Sequence, residues 1–129
     1  MQNTTEWNVV IVDDEPDNLG VIELVLSFHG VKSRVALSGM ECMSLLEIET
    51  PNLLLIDIQM PDMDGIELLT HIRTYPQWRS IPAVAVTARV MPGDHQHILS
   101  VGFNGYIPKP INAMTFVDEV KAILVGALL

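Results

Sequence analysis

A parallel β-sheet covered by helices on both faces, a doubly wound α/β domain, is the fold class this sequence predicts. Three observations predict it. Apolar runs of strand length, Val9-Val10-Ile11-Val12 and Leu53-Leu54-Leu55-Ile56, are unbroken by polar residues, the pattern of strands buried on both faces. Strand and helix signals alternate from end to end, with no repeat or internal linker. Both runs end in acid, Asp13-Asp14 and Asp57, and in open α/β sheets the reactive groups gather at the carboxyl ends of the strands.

Each element has its own justification. After the first strand, Glu15-Pro16-Asp17-Asn18 is rich in helix-starting residues. Leu19, Ile22, Val25 and Leu26 follow at helical spacing, and Gly30 closes the helix with a left-handed cap. Val31 to Ala36 alternates as a second strand, with Lys32 and Arg34 on the face opposite Val31, Ser33 and Val35. Ser38 and Glu41 have capping-box spacing ahead of Met43, Leu45, Leu46 and Ile48, and Pro51 marks the end of that helix. The run 52–58 is the third strand. Asp64-Gly65-Ile66-Glu67 repeats the capping pattern and opens a third helix through Leu68, Leu69 and Ile72.

Pro82 precedes a fourth strand, Ala83 to Thr87, and Pro92-Gly93-Asp94 starts a fourth helix with Ile98, Leu99 and Val101, capped at Gly102. Gly105-Tyr106-Ile107 reads as a fifth strand shortened by Pro108. Asn112 caps a final helix bearing Phe116, Val117, Val120, Ile123 and Leu124. Five strand–helix units in a row require crossovers that cover both faces of a parallel sheet.

Bulk properties narrow the function. The 129 residues, 49% of them hydrophobic, suit one domain with one core. A net charge of −9 argues against gripping nucleic acid through its phosphates. The single cysteine, Cys42, excludes a disulfide framework or a thiolate zinc cluster and reads as a small buried hydrophobe. No apolar run approaches the ~20 residues of a membrane span, and the start lacks the basic region of a signal peptide. A cytoplasmic protein is the simplest reading. Three carboxylates, Asp13, Asp14 and Asp57, converging on one crevice need a cation among them to stay ionised, so a divalent metal site around Asp57 is expected.

Four blocks then resemble one family. Val12-Asp13-Asp14, Ile56-Asp57-Ile58-Gln59-Met60-Pro61-Asp62-Met63-Asp64-Gly65, Thr87-Ala88 and Tyr106-Ile107-Pro108-Lys109-Pro110 stand in the order and spacing of the response-regulator receiver domains of two-component signalling. The resemblance covers residues from about 8 to about 125 and makes 1–129 a single receiver domain. It implies a flavodoxin-like (βα)5 three-layer sandwich with sheet order 2-1-3-4-5. It also implies that Asp57 accepts a phosphoryl group from a phosphohistidine on a sensor histidine kinase or phosphotransfer protein. Mg²⁺ would be held by Asp13, Asp14, Asp57 and the backbone carbonyl of Gln59. It prefers oxygen ligands and bridges to phosphoryl oxygens.

The resemblance gives Lys109 the phosphoryl oxygens as partners, Pro110 a cis peptide bond, and Thr87 a hydrogen bond to the modified Asp57. Tyr106 would turn inward as Thr87 moves, a two-state switch. The readout face is the fourth helix, fifth strand and fifth helix, where a downstream partner or a second copy docks, with Arg89, Val90 and Met91 at its edge. The chain would phosphorylate and dephosphorylate itself without turning over an external metabolite, and without touching nucleic acid or membrane. The stop at Leu129 fits a stand-alone receiver or one excised from a longer chain.

Two rivals differ in class. An aspartyl-nucleophile phosphohydrolase would carry a second aspartate where Gln59 stands, and a cap insertion for which 129 residues leave no room. A receiver-like module that is never phosphorylated would have lost an acid or the lysine. Asp62-Met63-Asp64-Gly65 fails as a calcium loop, because Met60 and His71 fall where acids are required; these acids instead bound a turn and cap the third helix. His95 and His97, two apart on a helix, face different directions and do not form a metal pair.

Overall fold

The computed structural model describes residues 4–88 and 92–128. Among them the elements run β1 (Asn8–Val12), α1 (Pro16–Phe28), β2 (Lys32–Ala36), α2 (Gly39–Ile48), β3 (Leu53–Ile56), α3 (Gly65–Arg73), β4 (Ala83–Thr87), α4 (Asp94–Ser100), β5 (Gly105–Pro108) and α5 (Phe116–Leu128). All the strands are parallel, in the order β2-β1-β3-β4-β5. This is the (βα)5 architecture expected, with β1 and β3 side by side; Val12 pairs with Ile56 at their carboxyl ends.

Strand periodicity divides the core into two layers. Val10, Val12, Leu54, Ile56, Ala83 and Ala85 face α2, α3 and α4 and pack with Cys42, Leu46, Leu68, Leu69, Ile72 and Ile98. Val9, Ile11, Leu53, Leu55, Val84 and Val86 face α1 and α5, against Leu19, Leu26, Phe116 and Val120. Every residue of β3 and β4 is buried, as an unbroken apolar run requires. Burial pushes the Cys42 thiol up to about 12, offset slightly by Arg34, which fits its reading as an inert core residue.

The local signals act largely as written. The Ser38 side chain accepts from the Glu41 N–H at 3.2 Å, and the Asp64 side chain accepts from the Glu67 N–H at 2.8 Å. Gly30 and Gly102 take the positive φ values, 72° and 113°, that end α1 and α4.

Several boundaries differ from the sequence reading. The third strand is shorter than 52–58 because Asn52 turns its side chain to the Asn8 N–H at 2.7 Å and the Glu6 carbonyl at 2.9 Å, while Asp57 already belongs to the following loop. Pro108 continues β5, opposite Thr87, since an edge strand tolerates a missing donor. Asn112 caps a turn: its Oδ1 accepts from the Met114 N–H at 2.9 Å, and regular helix begins at Phe116. On edge strand β2 the alternation does not translate into burial. Val35 is exposed, whereas Arg34 points its guanidinium at the Leu45 and Glu49 carbonyls at the end of α2. Among the described residues no helix is long and apolar enough to cross a membrane.

Candidate functional site: a carboxylate cluster bridged by Lys109

The carboxyl ends of β1 and β3 place Asp13 and Asp57 in register, one residue beyond the Val12–Ile56 pair. The chain then holds each carboxylate by its own backbone. Asp13 Oδ1 accepts from the Glu15 N–H at 2.9 Å, and Asp57 Oδ1 accepts from the Gln59 N–H at 3.2 Å. The two Oδ2 atoms share one cation. Lys109 Nζ lies 2.7 Å from Asp13 Oδ2 and 3.1 Å from Asp57 Oδ2. Asp14 completes the cluster, with a carboxylate oxygen within 4.8 Å of those of Asp13 and Asp57.

Lys109 reaches the pocket because β5 delivers it. Its N–H donates to the Thr87 carbonyl at 3.0 Å, just past the end of the sheet, and the Lys109-Pro110 peptide is cis as expected. Thr87 is fully buried at the end of β4. Tyr106 is half-buried on β5, packed against the core layer beneath α3 and α4. Its ring meets His95 of α4 edge-to-face. The edge residues Arg89, Val90 and Met91 lie outside the described residues.

The electrostatics show an excess of negative charge. Burial pushes the Asp57 carboxyl above its ordinary range; Lys109 pulls it back without cancelling that effect, and Asp13 adds to the rise. Burial works against the Lys109 ammonium, but its hydrogen bond to Asp13 and the charge of Asp57 outweigh burial and hold the ammonium above its ordinary value. The lysine is therefore well compensated and Asp57 is not. One ammonium is shared between two buried acids, Asp13 and Asp57, with Asp14 beside them, and part of its attraction to each is lost to the other.

This donor set suits a hard divalent cation. Convergent carboxylate oxygens and an uncompensated charge are what Mg²⁺ coordination uses. The expected residues Asp13, Asp14, Asp57 and Lys109 thus meet in one pocket. Thr87 and Tyr106 lie on the two strands beside it.

Gly65 belongs to this site, and sequence reasoning credited it only with a place in a cap. Its N–H donates to the Ile58 carbonyl at 2.9 Å, and a Cβ there would lie 2.9 Å from Ile58 Cα and 3.0 Å from the Asp57 carbonyl carbon. The start of α3 presses against the loop carrying Asp57, leaving no room for a side chain. The signal was a glycine after an N-cap aspartate at the end of the block that carries the family resemblance, and neither fact says that a backbone passes this close.

Comparison with known proteins agrees with the geometry. The sequence pattern of the response regulator receiver domain matches residues 9–121. An uncharacterised 14.6 kDa protein of Leptolyngbya boryana is 38% identical over 121 residues, covering 94% of this chain and 92% of the relative. The polar-differentiation response regulator DivK of Brucella ovis is 33% identical over 117 residues, covering 91% of this chain and 95% of DivK. In fold, the Vibrio cholerae chemotaxis protein CheY4 superposes with a TM-score of 0.86 at 24% identity, over 91% of this chain and 98% of CheY4. The chain belongs to the response regulator receiver domain family of two-component signalling.

Proposed function

We propose that this chain is a phosphoacceptor switch in which Asp57 takes a phosphoryl group from the phosphohistidine of a sensor histidine kinase or phosphotransfer protein. One observation carries the reading: Lys109 Nζ bridges two buried carboxylates, Asp13 and Asp57, at the carboxyl edge of a parallel sheet, with Asp14 beside them. In the transfer, an Asp57 oxygen forms a bond to phosphorus as the phosphorus–nitrogen bond breaks. The electron pair leaves on the imidazole, and the product is an aspartyl phosphate.

The residues divide the work by charge. Phosphoryl transfer calls for positioning and electrostatic stabilisation more than covalent help. Asp13, Asp14, Asp57 and the Gln59 carbonyl would hold Mg²⁺, which neutralises charge on the phosphoryl oxygens. Lys109, already 3.1 Å from Asp57 Oδ2, supplies a second positive charge to those oxygens. Thr87 at the end of β4 hydrogen-bonds the phosphoryl group, and Tyr106 turns inward in response. Hydrolysis of the acyl phosphate by water resets the switch. The readout surface is the face of α4, β5 and α5. Residues 1–129 act as one receiver domain in the cytoplasm.

Borohydride trapping tests the acceptor assignment. Protein incubated with acetyl phosphate and Mg²⁺, then reduced, should yield homoserine at position 57 in its peptide map. Reduction at another aspartate, or none in folded protein, contradicts the assignment.

A further inference from the structure

The ring of Tyr106 does not stand alone at the surface. It meets the imidazole of His95 edge-to-face, with ring centroids 4.9 Å apart and planes at 88°. This geometry is favoured by the aromatic quadrupole. His95 is exposed and is the second residue of α4, a helix of seven residues. The start of that helix is weakly specified: its N-cap is Gly93 at φ 91°, with no side-chain cap bond. The buried residue of α4, Ile98, comes almost a turn later.

We propose that His95 is a positioning residue that holds Tyr106 in its resting arrangement and ties the first turn of α4 to the ring. The idea rests on the receiver reading above, in which Tyr106 turns inward when Asp57 is modified. In that reading the ring leaves His95 when it turns toward Thr87. The contact is then assigned to the resting state, and a group that contacts one state alone biases the equilibrium toward it. When the ring leaves, the first turn of α4 loses its hold on β5. His95 then acts as a brake on the switch and links the ring to the helix that borders the readout face.

The test uses the two tyrosines of the chain, Tyr75 and Tyr106. Ring-labelled protein gives two sets of NMR signals, and Tyr106→Phe assigns them. Beryllofluoride with Mg²⁺ serves as the phosphoryl mimic, and its titration defines the resting and activated positions of the Tyr106 signal. His95→Ala should move the unligated Tyr106 signal toward the activated position and tighten beryllofluoride binding by about two- to tenfold, the range of an edge-to-face pair. His95→Phe, which keeps an aromatic edge, should stay near the native protein in both. An unmoved Tyr106 signal, or binding unchanged or weakened in His95→Ala, overturns the proposal; a merely structural role would weaken binding. If the native protein itself shows no response to beryllofluoride, it is the receiver reading that fails.

Discussion

Removing the Lys109 ammonium leaves Asp13 and Asp57 buried side by side with no cation between them. Their side chains are 2% and 7% exposed, so solvent compensates neither well. Lys109→Met keeps most of the stem and deletes the charge. It should lower metal-free stability by about 3 kcal/mol in urea unfolding, the scale for breaking one partner out of a buried pair. Saturating Mg²⁺ should restore a large part of that loss, because it supplies the missing positive charge. Equal stability of Lys109→Met and the native protein without metal would show that the lysine is not holding the cluster together. Asp57 gives the opposite sign. Burial holds its carboxyl above the ordinary value against the pull of Lys109. A raised carboxyl pKa adds stability below the unfolded-state value of about 3.8, and that stability is lost as pH rises through the native value. At pH 7 the ionised group is therefore a cost to the metal-free fold. Asp57→Asn should raise the metal-free Tm at pH 7, with the gain shrinking as the pH falls toward 3.8, and should lose most of the Mg²⁺-dependent rise in Tm. A mutant less stable than the native protein at pH 7 contradicts the charge excess.

At the scale of the element, the loop between β3 and α3 is set by how closely two backbones approach. Gly65→Ala places a methyl group within 2.9 Å of Ile58 Cα and should cost about 1–3 kcal/mol of overpacking in thermal or urea unfolding. It should also weaken Mg²⁺ binding, since the displaced backbone carries Asp57 and Gln59. An alanine variant with native stability and native metal affinity would separate α3 from the site. This element also shows what a sequence can and cannot convey. The caps at Ser38 and Asp64 were legible because donor and acceptor lie three residues apart. The role of Arg34 at the end of α2 was not legible, since its partners are 11 and 15 residues away and depend on how α2 lies on the sheet. The same holds for Arg73, whose guanidinium bonds the Ile81 carbonyl at 2.6 Å and the Gly102 carbonyl at 2.9 Å, stitching the β4 entry and the α4–β5 turn to α3. Edge strands misled in both directions, because at an edge the period-2 pattern no longer reports burial: Val35 came out exposed and Pro108 stayed in the ladder.

Over the whole molecule, strand order does the chemistry's positioning. Placing β1 beside β3 turns two acids 44 residues apart in sequence into neighbours sharing one lysine. The crevice at the carboxyl ends of the strands is the usual site of function in such sheets. That convergence was legible from acids terminating two fully apolar runs, and the spacing of the four blocks placed Lys109 with them. What stayed hidden was tertiary: the tight fit of Gly65 and the His95 contact with Tyr106, neither of which leaves a local pattern. The most direct test of the phosphoacceptor assignment is intact mass after incubation with acetyl phosphate, with and without Mg²⁺, beside Asp57→Asn. A single phosphoryl adduct that requires Mg²⁺ and is absent from the mutant is the predicted result. An adduct that survives Asp57→Asn, or no adduct on folded protein in saturating Mg²⁺ even with a phosphohistidine donor, would contradict it.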